Sequence, residues 1–131
     1  MNVPRDCRYS RDHFWVKPEG NEALIGLSDY LQTELGEAIF IDLPDLEDDI
    51  EITGTFGIIE SNRAVSDMTA PVSGTVMDVN LDLERGPELI NEDPYGEGWL
   101  IRVQLDDPQQ IDSLMAPEEY EDYIADLVLE D

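Results

Sequence analysis

The sequence predicts a mainly β domain with short peripheral helices and one longer C-terminal helix, and three observations carry that expectation. Short apolar runs such as "HFWV", "ALIGL", "AIFIDL", "TFGIIES" and "WLIRVQL" recur along the chain, bounded by proline, glycine or acidic turns. Helix signals stay confined to brief capped stretches until Pro117, after which an apolar stripe sets in at helical spacing. The length of 131 residues suits one domain spanning 1–131, and 41% hydrophobic residues supply a modest core.

Taken in order, "HFWV" and "ALIGL" around "KPEGN" predict a first hairpin, with Lys17 in its turn. Ser28 is placed to cap a short helix over "DYLQTEL", and Gly36 suits the left-handed position at its C-terminal end. "AIFIDL" reads as a buried strand halted by Pro44, and "LEDDIEI" passes through an acidic loop into another short strand. "TFGIIES" and "AVSDMTA" flank Asn62-Arg63, a two-residue loop of hairpin length. Asn62 tolerates positive φ and Arg63 does so less readily, leaving the turn type open.

"PVSGTVMDVN" adds a strand, "LERGPELINEDPYGEG" reads as a long turn-rich loop, and "WLIRVQL" alternates with Trp99, Ile101, Val103 and Leu105 on one face. Asp107 and Pro108 then open a short helix containing Ile111, Leu114 and Met115, and Pro117 opens the last one. There Tyr120, Tyr123, Ile124, Leu127 and Val128 form the stripe, which is expected to cover the β structure or an end of it.

Thirty-two acidic residues against seven basic ones give a formal charge of −25. Such a surface repels phosphate backbones and anionic lipid, so nucleic acid and membrane are not expected partners. Self-repulsion on this scale is relieved by screening, which favours a salt-rich cytoplasm; an acidic mesophilic protein is the alternative. Cys7 has no second cysteine to pair with, and no apolar run reaches signal-peptide or membrane-span length, so a cytoplasmic location is expected.

Candidate chemistry is sparse. His13 and Cys7 are single, so no transition-metal cluster is predicted, and His13 beside Phe14 and Trp15 reads as a hydrogen-bonded structural residue. Acidic pairs are too many to nominate a catalytic dyad, and no phosphate-loop or dinucleotide fingerprint is present. No catalytic residue is predicted.

Four segments, in order and spacing, carry a resemblance: "YSRDHFW", "IGLSDYLQTELGEAIFIDLP", "FGIIESNRAVSDMTAPVSGTV" and "PELINEDPYGEGW". From about Tyr9 to Tyr123 the chain resembles the H protein of the glycine cleavage system, and the acidic bias makes it look like a version from a halophilic archaeon. The resemblance implies a flattened β-barrel, the barrel-sandwich hybrid shared with biotinyl and lipoyl domains. It also implies a carrier rather than an enzyme. In the family a lysine at the hairpin tip bears lipoate, collects the aminomethyl group after glycine decarboxylase acts, passes it to aminomethyltransferase, and is reoxidised by dihydrolipoyl dehydrogenase.

The family tip reads "ES-x-K-A"; here Glu60, Ser61 and Ala64 match and Arg63 stands at the lysine position, with Asp67 retained nearby. A guanidinium stays protonated with delocalised lone pairs, so Arg63 is not expected to accept lipoate from an activated acyl group. Lys17, the one lysine, lacks the family surroundings. Phe14 and Tyr30 also depart from the family, which usually has an acidic residue and a histidine there. Two readings follow: a paralogue that binds glycine-cleavage partners or lipoyl ligase without carrying lipoate, its Arg63 pairing with acidic groups, or an ordinary glycine-cleavage component with an unusual residue or attachment. An interaction module outside glycine metabolism is a third class.

Overall fold

A computed structural model describes residues 1–130. Its elements in chain order are β1 (Arg8–Tyr9), β2 (Phe14–Glu19), β3 (Glu22–Leu27), α1 (Asp29–Leu35), β4 (Ala38–Asp42), β5 (Asp49–Ile50), β6 (Thr55–Ser61), β7 (Val65–Thr69) and β8 (Gly74–Val79). There follow α2 (Asp82–Arg85), α3 (Leu89–Glu92), β9 (Ile101–Leu105), a 3-10 helix (Pro108–Ser113) and α4 (Pro117–Glu130). Among the described residues, no helix is long and apolar enough to cross a membrane.

The strands form two antiparallel sheets, one six-stranded in the order β1-β2-β3-β9-β8-β5 and one three-stranded in the order β4-β6-β7. Alternation along β2 and β3 sends Phe14, Val16, Ile25 and Leu27 inward, where they meet Ile41, Phe56, Ile59 and Met68 of the smaller sheet. This is the mainly β, two-sheet architecture that the resemblance implies. Trp15 points to the opposite face of the large sheet and joins Tyr9, Tyr30, Tyr120 and Ile124 in a second cluster. The apolar stripe of α4 covers that face, with Tyr9 and Tyr120 stacked at 4.4 Å between ring centroids.

Several elements differ from the sequence expectations for identifiable reasons. The first turn narrows to Gly20-Asn21, with Gly20 at φ 65, so Lys17 and Pro18 lie inside β2. β1 pairs with β2 only as far as Val16, so Pro18 sits where the outer edge of β2 is unpaired and its missing donor is tolerated. β4 is not buried throughout. A register shift between Ala38 and Phe40 sends two successive side chains outward, leaving Ile39 53% and Phe40 55% exposed.

The long turn-rich loop contains the one-turn helices α2 and α3, each held by one buried residue, Leu83 and Ile90. Trp99 precedes β9 and packs with the second cluster, unlike Ile101, Val103 and Leu105. Val128 is exposed, so the α4 stripe ends at Leu127, one member short of what its spacing suggests. The capping of α1 matches expectation: the Ser28 hydroxyl accepts from Leu31 N, and Gly36 takes φ 84 at the C-terminal end.

Candidate functional site at the hairpin tip

β6 and β7 pair in the register Ile58↔Asp67, Ile59↔Ser66 and Glu60↔Val65. One further bond, from Ser61 N to Ala64 O at 2.8 Å, closes the two-residue tip Asn62-Arg63. Neither tip residue is among the non-glycine residues with left-handed φ, which are His13, Glu47 and Thr53. Buried Ser61 fastens the turn from inside: its hydroxyl accepts from Arg63 N and Ala64 N, each at 3.2 Å, and donates to Ala64 O at 3.3 Å.

The tip is docked on the C-terminal end of α1. Arg63 Nη1 donates to Thr33 O at 3.1 Å and to Glu34 O at 2.9 Å. These carbonyls belong to the last turn of a helix, where intrahelical donors run out and the helix dipole is negative. Asn62 adds a two-way clasp with Glu37, donating from its backbone N at 2.9 Å and accepting on Oδ1 at 3.1 Å. Gly36 makes the approach possible, since a Cβ there would fall 2.5 Å from Asn62 Oδ1. Within the chain the guanidinium meets these carbonyls, and the close fit at Gly36 brings it over the helix end.

The corner below the tip is held in turn by Asn91 of α3, which donates to Gly36 O and Gln32 Oε1 and accepts from Ala38 N. The local sequence pointed to Gly36 as a helix end. It carried no signal that the hairpin tip would land there, because the two are 27 positions apart.

Glu60 and Asp67 are exposed on the outer face of the three-stranded sheet, apart from the guanidinium. Register places them in two cross-strand rows, Phe40–Glu60–Val65 and Asp42–Ile58–Asp67. Apolar and acidic side chains therefore alternate like a checkerboard across the face, all six of them exposed. Beyond Phe40 the face runs into a groove of about 580 Å³, lined on its apolar side by Ile39, Leu43, Leu46 and Leu81.

Phe14 and Tyr30, the two further departures expected from the resemblance, lie away from the tip. Phe14 is buried between the sheets, its ring edge-on to Phe56. Tyr30 packs at 4.6 Å against the ring of His13, whose Nδ1 is 2.9 Å from Tyr120 OH. Tyr120 OH is in turn 2.7 Å from the Ser28 hydroxyl that caps α1. Burial holds His13 below its ordinary range and pushes Tyr120, Tyr9 and Tyr95 up, consistent with neutral groups in a packed network. Cys7 is likewise pushed up to about 12 by burial, leaving an unreactive thiol. Lys17 projects from β2 with Nζ 3.6 Å from Asp6.

A family model described as "Glycine cleavage H-protein" matches residues 7–127. The chain is 47% identical over 119 residues to the glycine cleavage system H protein of Carboxydothermus hydrogenoformans, covering 91% of this chain and 92% of that one. It is 44% identical over 126 residues to the H protein of Staphylococcus carnosus, covering 96% and 100%. The crystal structure of a glycine cleavage system H protein from Mycobacterium marinum superposes with a TM-score of 0.86 at 30% identity, covering 94% of this chain and 99% of that one.

Proposed function

The chain belongs to the glycine cleavage H-protein family, and from that premise we propose that it acts in glycine cleavage as a partner-binding homologue that does not itself carry lipoate. It is a carrier-type component of a multienzyme system and not an enzyme. The proposal rests on Arg63 at the hairpin tip, the position that the "ES-x-K-A" resemblance gives to the family's attachment lysine.

The residues present do not fit a covalently held lipoate. Acylation needs a neutral amine with a free lone pair, and the guanidinium has its lone pairs delocalised and one of its nitrogens bonded to two helix carbonyls. Lys17 offers the only side-chain amine, on a strand of the other sheet and beside a carboxylate. No transfer step is assigned to this chain.

What remains for the chain to do is to bind. The outer face of β4-β6-β7 offers Phe40, Ile58 and Val65 for apolar contact and Asp42, Glu60 and Asp67 for cationic groups, so a partner surface with exposed apolar residues among Lys and Arg fits it. Glycine decarboxylase, aminomethyltransferase, dihydrolipoyl dehydrogenase and lipoyl ligase are the candidates that the family supplies. The net charge of −25 suits work in a salt-rich cytoplasm.

The test is intact mass, at high salt, of wild type and Arg63→Lys after incubation with lipoyl ligase, ATP and lipoate. The lysine variant is expected to gain the lipoyl mass while the wild type stays unchanged. A wild type that gains it overturns the reading, restores an ordinary carrier and makes Lys17 the first residue to examine.

A further inference from the structure

We propose that Arg63 is a helix cap supplied from a distant hairpin, which joins the β6–β7 tip and α1 into one rigid unit and makes the tip a fixed recognition point rather than a pivot. This inference rests on the geometry of the dock and not on whether the chain is lipoylated.

Both tip residues converge on the C-terminal end of α1: the guanidinium bonds Thr33 O and Glu34 O, and Asn62 clasps Glu37 and packs closely on Gly36. α1 has only seven residues, too few to hold its own ends, so outside partners decide whether its last turn stays formed. A cation bonded to the C-terminal carbonyls satisfies acceptors that otherwise face water and complements the negative end of the dipole.

The other end of α1 is held as firmly. Ser28, its cap, touches Tyr120 OH, and Asp29 N donates to Tyr95 OH at 2.8 Å. The helix is thus a strut between the hairpin tip and the aromatic cluster under α4. Arg63 is a positioning residue in this arrangement, since it sets where Glu60 and the adjoining sheet face stand relative to the rest of the domain. A lysine at 63 brings one ammonium in place of a planar fork and is expected to hold the dock less well.

Two measurements test the clamp. In wild-type protein, nitrogen-detected NMR of the Arg63 guanidinium is expected to show hindered rotation, with Nη1 and Nη2 resolved. In Arg63→Gln, amide exchange at Gly36 and Asn62, whose protons bond Gln32 O and Glu37 O, is expected to rise at least tenfold while Val103 in the core is unchanged. Arg63→Lys is expected to fall between the two. A freely averaging guanidinium in the wild type overturns the inference, and so does an Arg63→Gln variant that keeps wild-type exchange at both amides. Should the variant unfold as a whole, the wild-type guanidinium spectrum alone decides. None of these readouts depends on lipoate.

Discussion

The rings of Phe14 and Phe56 meet edge to face with centroids 5.6 Å apart, joining a strand of the large sheet to a strand of the small one. Phe14 is 3% exposed and belongs to the core between the sheets. Removing the ring leaves a void between two sheets whose backbones cannot close over it. Phe14→Ala is therefore expected to cost about 3–5 kcal/mol in urea unfolding at high salt. A loss below about 1 kcal/mol, within the range of surface changes, would mean that the ring is not part of the core.

His13 provides a pH dependence of known sign. Desolvation lowers its folded pKa below the ordinary 6.5, while nearby Asp12 opposes the shift. Between the folded value and 6.5 the unfolded chain binds more protons than the folded one. Stability from this group is present above about pH 6.5 and is lost as pH falls through that window. Asn accepts the left-handed backbone at this position, φ 74, better than most replacements. The drop in Tm between about pH 7.5 and 5.5 is expected to be smaller in His13→Asn than in wild type; an unchanged drop would assign the effect to other groups.

Salt should stabilise the fold. Few of the carboxylates meet a cation: the ion pairs among the described residues are confined to Arg5, Lys17 and Arg102. Screening shrinks the Debye length to about 3 Å near 1 M salt and relieves the remaining repulsion. Tm is expected to rise steadily from low salt to multimolar KCl. A flat or falling curve would remove the argument for a salt-rich cytoplasm.

The checkerboard face separates binding from stability. Glu60 and Asp67 are exposed and stand in different cross-strand rows, so Glu60→Lys with Asp67→Lys should change Tm little. Binding to a purified glycine-cleavage partner, read by calorimetry, is expected to weaken at least tenfold if the face is the docking surface. Retained affinity would place docking elsewhere.

Much of this molecule was legible along the chain, because the controlling interactions are local. Ser28 and Gly36 bracket α1, Asp107 and Pro108 start the 3-10 helix, and Pro117 starts α4, each by satisfying or sparing backbone groups within a few positions. Alternation likewise placed Ile101, Val103 and Leu105 on one buried face. The family motifs located Glu60, Ser61, Arg63 and Asp67 on one hairpin, and the chemistry of the guanidinium is the ground for the proposal that it holds no cofactor. Only the tertiary structure decided which groups Arg63 meets. Its partners are carbonyls of Thr33 and Glu34, some thirty residues away, and a helix end offers every passing cation the same acceptors. Which cation arrives depends on how the two sheets pack, and so does the outward turn of both Ile39 and Phe40, which a register shift produces and no alternation pattern encodes.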